Sequence, residues 1–225
     1  MADAQNPEFQ ERLTGIVAPE AFFFGAPLAL AGGFAWGAGA VALALPLWAL
    51  ALFVVSFFRN PSREIPPGDG VVVSPADGRV IDVAEIEIAP GEKALRIAIF
   101  LSVFNVHVNR APLSGKVVAI ERTGAKFLAA FNPAAETLNV RLDLTLETAG
   151  GTRIRVAQIT GLIARRIVCH AQLGEQLAKG TRYGMIRFGS RTDLVLPLGS
   201  KPRVAKGERV RGGSSVLAEL PEGTR

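Results

Sequence analysis

The chain has 225 residues, a formal net charge of +5 and a single cysteine, Cys169. That length holds one sizeable domain plus an appendage rather than two full globular domains. One cysteine excludes any intrachain disulfide, which agrees with a reducing compartment. Mean hydropathy is +0.30, high for a soluble chain, and its source is local.

From Ala21 to Phe58 there are 38 consecutive residues without Asp, Glu, Lys or Arg. A bilayer core takes roughly 20 residues per helix. The run is therefore expected to form an α-helical membrane hairpin of two helices, with Ala31-Gly32-Gly33 and then Gly37 and Gly39 as candidate turns. One long tilted or re-entrant helix is the alternative. A signal peptide does not fit, because Met1–Glu20 carries Asp3, Glu8, Glu11 and Glu20 against Arg12 alone, so a basic leading region is missing. Residues 59–225 hold 24 basic against 16 acidic residues. Arg59 and Arg63 follow the apolar run directly, which places the rest of the chain on the cytoplasmic side of the cell (inner) membrane. A basic domain also suits an anionic leaflet. Nucleic acid is disfavoured as a partner, since the basic residues are scattered and Tyr and Trp are sparse in this part.

The chain thus divides into a short N-terminal segment (1–20), the apolar segment (21–58), a turn-rich linker (59–70) and a domain over 71–225. The linker contains Asn60-Pro61-Ser62 and Pro66-Pro67-Gly68-Asp69-Gly70. Val71–Val73, the turn Ser74-Pro75-Ala76-Asp77-Gly78 and Arg79–Val83 read as a hairpin. Ala94–Arg110 reads as one long strand, and further strands are expected at 115–123, 137–147, 152–160, 183–188 and 192–196. Residues 165–174 are ambiguous, while Glu121–Phe131 and Glu175–Lys179 are short helical candidates. The fold class that follows is a mainly β domain, a compact antiparallel sandwich or barrel-like structure. Val204–Leu220 and the Ser74–Gly78 hairpin resemble the two halves of a lipoyl-type domain, but the Met-Lys or Asp-Lys carrier dipeptide is absent from the sequence.

The chain has two histidines, His107 and His170. Strand alternation would put Asn105, His107 and Asn109 on one face. A structural histidine is the plainer reading of His107 on its own. Cys169 and His170 are adjacent but offer no metal-ligand spacing, so no metal is expected. Three Gly-Ser pairs occur, at 189–190, 199–200 and 213–214. Each alone reads as a turn. Gly189-Ser190 differs in lying between two strand candidates, where glycine permits a strained or φ > 0 backbone.

Pro75-Ala76-Asp77-Gly78, the Phe100–Pro112 stretch with His107-Val108-Asn109-Arg110-Ala111-Pro112, and Arg187-Phe188-Gly189-Ser190 occur in that order. The ordered set, over roughly residues 60–220, resembles the short-form, pyruvoyl-dependent phosphatidylserine decarboxylases. The resemblance implies autocatalytic cleavage of a zymogen. Ser190 Oγ attacks the Gly189 carbonyl, the amide becomes an ester, β-elimination frees the Gly189 carboxylate and leaves dehydroalanine, and its hydrolysis by water gives a pyruvoyl group at position 190 and ammonia. The products would be chains 1–189 and 190–225. The pyruvoyl cofactor would form a Schiff base with phosphatidylserine and accept electrons as CO₂ departs, yielding phosphatidylethanolamine. The resemblance suggests Asp77 and His107 for the base and the proton donor. The partners it implies are phosphatidylserine, membrane lipid and the two chains of one precursor, with a homo-oligomer left open. The long-form members carry a second histidine where this chain has Arg110, which cannot serve as a base at ordinary pH. Two other classes use the same residues differently. A membrane-tethered serine peptidase would take Asp77, His107 and Ser190 as a hydrolytic triad, and a non-enzymatic adaptor would use the lipoyl-like halves as scaffold.

Overall fold

In the computed structural model, residues 17–18, 20–129, 134–162, 166–187 and 190–221 are described. The chain divides into two compact units, Met1–Ser62 and Arg63–Arg225.

The first unit is a helical hairpin. Helix α1 spans Glu20–Gly37 and α2 spans Val41–Phe57. The chain reverses at Gly39, whose φ of +77° suits glycine. Small residues let the helices approach closely. A Cβ on Gly32 would press into the Trp48 ring, and Trp48 Nε1 donates to the Ala29 carbonyl at 3.2 Å. The outer surface is apolar, with Phe22, Phe23, Phe34 and Leu52 all exposed.

The expected pair of membrane spans is corrected here. No helix among the described residues is long and apolar enough to cross a membrane. The turn at 38–40 cuts the uncharged run into helices of 18 and 17 residues, about 27 and 26 Å long at 1.5 Å per residue, against roughly 30 Å of hydrocarbon. Glu20 opens α1, and Pro27 and Pro46 lie inside the two helices.

The second unit is mainly β and antiparallel. Its largest sheet has eight strands in the order β13-β2-β3-β11-β7-β6-β5-β9. Those strands are β2 (Gly78–Ala89), β3 (Glu92–Leu101), β5 (Gly115–Thr123), β6 (Arg141–Glu147), β7 (Arg153–Ile159), β9 (Gln176–Leu177), β11 (Ser190–Pro197) and β13 (Arg209–Val210). Period-two alternation decides which face is buried. On β3, Leu95, Ile97, Ile99 and Leu101 point inward, and on β11 the register places Leu196, Leu194, Thr192 and Ser190 beside them in turn. Ser190 therefore ends a row of core side chains. Two shorter sheets complete the unit, one of β1 (Val71–Val73), β14 (Val216–Glu219) and β12 (Lys201–Pro202), the other of β4 (Val108–Arg110), β10 (Arg182–Arg187) and β8 (Arg166–Cys169). Val71–Val73 pairs with β14 while β13 pairs with the start of β2, so the two lipoyl-like segments are neighbours.

Several sequence expectations change. The long strand over 94–110 is two strands in different sheets, β3 and β4, separated by a turn. In that turn Asn105 Oδ1 accepts from Ser102 N at 2.9 Å and Ser102 Oγ at 2.8 Å. Asn105 therefore does not share a strand face with His107 and Asn109. Neither helical candidate is helical over its described residues, and residues 130 and 131 of the first lie outside them. Glu121–Thr123 finishes β5, Gln176–Leu177 is β9, and the single short helix of this unit among the described residues is α3, Ala135–Leu138.

Candidate active site

Ser190 is completely buried, and its Oγ makes no hydrogen bond among the described residues. A hydroxyl in that state forfeits the stabilisation that nearly all buried polar groups obtain. The other Gly-Ser serines are engaged in turns. Ser200 Oγ donates to the Pro197 carbonyl at 2.8 Å beside Gly199 at φ +88°, and Ser214 N donates to the Arg211 carbonyl after Gly213 at φ +82°. Burial and an unpaired oxygen thus single out Ser190. Gly189, and with it the Gly189–Ser190 bond and its expected strain, lies outside the described residues.

His107 is fully buried at the end of the turn that leads into β4. Its Nδ1 lies 2.9 Å from the Asn105 carbonyl oxygen. A carbonyl only accepts, so Nδ1 carries a proton and donates it to this bond. Its own carbonyl accepts from Ile186 N at 3.3 Å, which ties it to the strand running toward position 190. Asp77 closes the turn before β2. Its Oδ1 accepts from Gly212 N at 2.7 Å and its Oδ2 from Arg63 at 2.8 Å. A side chain on Gly212 would crowd Ala76 and the Asp77 carboxylate.

The three segments converge on Asn109. Its Nδ2 reaches the Pro75 carbonyl at 3.4 Å and Thr192 Oγ1 at 3.3 Å, while its Oδ1 accepts from Gln158 Nε2 at 2.8 Å. Pro75 is two residues from Asp77, Asn109 two from His107, and Thr192 two from Ser190. One buried carboxamide therefore links the backbone segments that carry all three candidates. It does not join their side chains, because Ser190 Oγ bonds to neither His107 nor Asp77.

The comparisons with known proteins bear on this arrangement directly. The family model described as phosphatidylserine decarboxylase matches residues 50–218. Relatives named phosphatidylserine decarboxylase proenzyme include one from Symbiobacterium thermophilum, 49% identical over 189 residues, covering 83% of this chain and 86% of the relative. One from Burkholderia ambifaria is 45% identical over 191 residues, covering 84% and 85%. Another from Burkholderia pseudomallei is 43% identical over 208 residues, covering 92% and 96%. The chain belongs to the phosphatidylserine decarboxylase family.

For a phosphatidylserine decarboxylase family member, the site contains residues that motif reading passes over. Gln158 and Thr192 occupy paired positions on β7 and β11, inside an otherwise apolar face. A polar residue at an inward position of an alternating strand is the signal that would have found them. Arg63 was read as a topology marker, yet it holds Asp77. Arg110 is buried, donates to the Gly180 carbonyl at 3.1 Å, and lies directly opposite Arg182 on β10. Burial, followed by Arg182 and Arg63, lowers its pKa to about 10, with Asp77 acting in the other direction. Burial also pushes up the Cys169 thiol and the Tyr183 phenol, so both stay neutral at ordinary pH.

Proposed function

We propose that this chain is a proenzyme that cuts itself between Gly189 and Ser190, turns Ser190 into a pyruvoyl group and decarboxylates phosphatidylserine to phosphatidylethanolamine. The relatives' names support the reaction and the precursor. The observation that carries the local assignment is the buried, unpaired hydroxyl of Ser190. Such an oxygen fits a residue kept as a reactant, and conversion to a ketone removes the group whose burial is uncompensated.

The pyruvoyl group supplies a carbonyl pair that takes up the electrons left when CO₂ leaves. The remaining work belongs to the chain. Packing of β11 between β3 and β7 fixes the position of residue 190. His107, with Nδ1 occupied by the Asn105 carbonyl, holds or delivers a proton at Nε2 during turnover. Asp77, oriented by Gly212 N–H and Arg63, is the partner for activating Ser190 before cleavage. Among the described residues, the serine–histidine hydrogen bond expected of a hydrolytic triad is missing, which favours self-cleavage over a peptidase.

The hairpin of α1 and α2, uncharged from Ala21 onward, embeds in the lipid surface through its exposed phenylalanines and leucines, and the basic residues that follow it, Arg59 and Arg63, favour the anionic cytoplasmic leaflet. In a detergent-solubilised preparation, CO₂ release from phosphatidylserine is expected to disappear after treatment with a carbonyl reagent such as phenylhydrazine. Activity that survives the reagent in full contradicts the pyruvoyl assignment.

A further inference from the structure

The unpaired hydroxyl of Ser190 has a counterpart on the neighbouring strand. Gln158 is fully buried on β7, and its Oε1 makes no hydrogen bond among the described residues. Its neighbours dictate which way the carboxamide faces. The Pro75 carbonyl only accepts, so Asn109 turns Nδ2 toward it at 3.4 Å and Oδ1 toward Gln158. Gln158 must then present Nε2 to that oxygen, at 2.8 Å, and the Val168 carbonyl shares the same amino group at 3.5 Å. A flipped amide would set Oε1 against two oxygens. Gly184 keeps room for this contact, because a Cβ there would strike the Val168 carbonyl and stand 3.2 Å from Gln158 Nε2. The network therefore fixes an acceptor with nothing to accept, a state that few buried oxygens keep.

Register puts that acceptor beside the candidate centre. Gln158 is the direct partner of Thr192 across β7 and β11. Ser190 lies two residues further along β11, hence on the same inward face. Diagonal neighbours of this kind are about 7–8 Å apart, within reach of a long side chain. Phosphatidylserine must bring its amine to residue 190, and the N–H donors it takes out of water need acceptors there. We infer that Gln158 Oε1 is the acceptor for the amino group of the lipid headgroup, an assignment that rests on the decarboxylase reading above. A neutral oxygen suits the task. An amine attacks only without its extra proton, and a carboxylate in this place would favour the ammonium form. The amide orients the nitrogen without charging it.

The test reads binding as well as turnover, on full-length, detergent-solubilised protein. Short-chain phosphatidylethanolamine and phosphatidylglycerol share the phosphodiester, and the first carries an amine where the second carries hydroxyls. The ratio of their dissociation constants, by titration calorimetry, isolates the amine. Gln158→Met should yield two chains like wild type and lose about two- to tenfold of the preference for the amine lipid, the net worth of one neutral hydrogen bond. Its KM for phosphatidylserine should rise to match. Gln158→Glu keeps an acceptor oxygen and gives up the N–H to Asn109, so it should retain the preference. Equal loss in both variants would mean that Gln158 acts only by bracing Asn109. A preference unchanged in Gln158→Met would mean that Oε1 serves a buried water. Either result overturns the inference, as does a Gln158→Met chain that stays uncut. Should one variant fail to fold, the other decides, by a preference that falls for Met or holds for Glu. A wild type that releases no CO₂ fails the reading beneath, whereas active wild type with an indifferent Gln158→Met fails this inference only.

Discussion

Ser190, His107 and Asp77 are each held by different local chemistry, and the difference predicts how their variants fail. Ser190→Ala removes the hydroxyl that no described neighbour satisfies, so both processing and activity should be lost while the fold persists. Ser200→Ala removes a turn hydrogen bond and should leave processing intact on a denaturing gel. His107→Ala should still yield two chains but turn over about 10²–10⁴-fold more slowly, the usual contribution of a general acid–base group. Asp77→Ala should accumulate uncut precursor. If His107→Ala is also wholly uncut, one histidine serves both stages. Motif order is what marks the three candidates in the sequence, and the variants above test their roles. Asn105 was misassigned, because the Ser102–Asn105 turn that takes it off the strand depends on side-chain hydrogen bonds that a β-rich pattern hides.

At the scale of elements, β4 is the hinge of the account, three residues long yet touching the Asp77 turn, β10 and β11. Asn109→Ala leaves the Gln158 amide without its short partner and releases Thr192. A loss of about 1–3 kcal/mol in unfolding free energy is expected from the uncompensated buried group, together with slower processing, readable by denaturant titration and by a time course of cleavage. Unchanged stability and cleavage would show that the carboxamide does not hold these segments. Alternation made β5, β6, β7 and β11 legible to within a few residues. It could not show that 94–110 divides between two sheets, nor that 175–179 pairs with β5, because those outcomes are set by partners distant in sequence.

For the whole molecule, the proposal is that the apolar helical hairpin serves attachment and the basic β unit serves chemistry. The hairpin was legible from the uncharged run, but the turn that shortens its helices below a bilayer's width was not. Full-length protein should float with vesicles containing anionic lipid and resist extraction by high salt or carbonate. Complete release by salt alone would show that the exposed phenylalanines and leucines of the hairpin do not enter lipid. A protein without residues 1–62 should instead bind weakly and let go as salt screens its basic surface. The central claim is that the chain remakes itself at position 190, and an intact mass under denaturing conditions tests it most directly. Two fragments are expected, residues 1–189 and 190–225, the smaller lighter than a serine-started peptide by one ammonia and blocked at its N-terminus. A single mass for residues 1–225 in an enzyme that decarboxylates phosphatidylserine, or a break at another bond, would contradict the account.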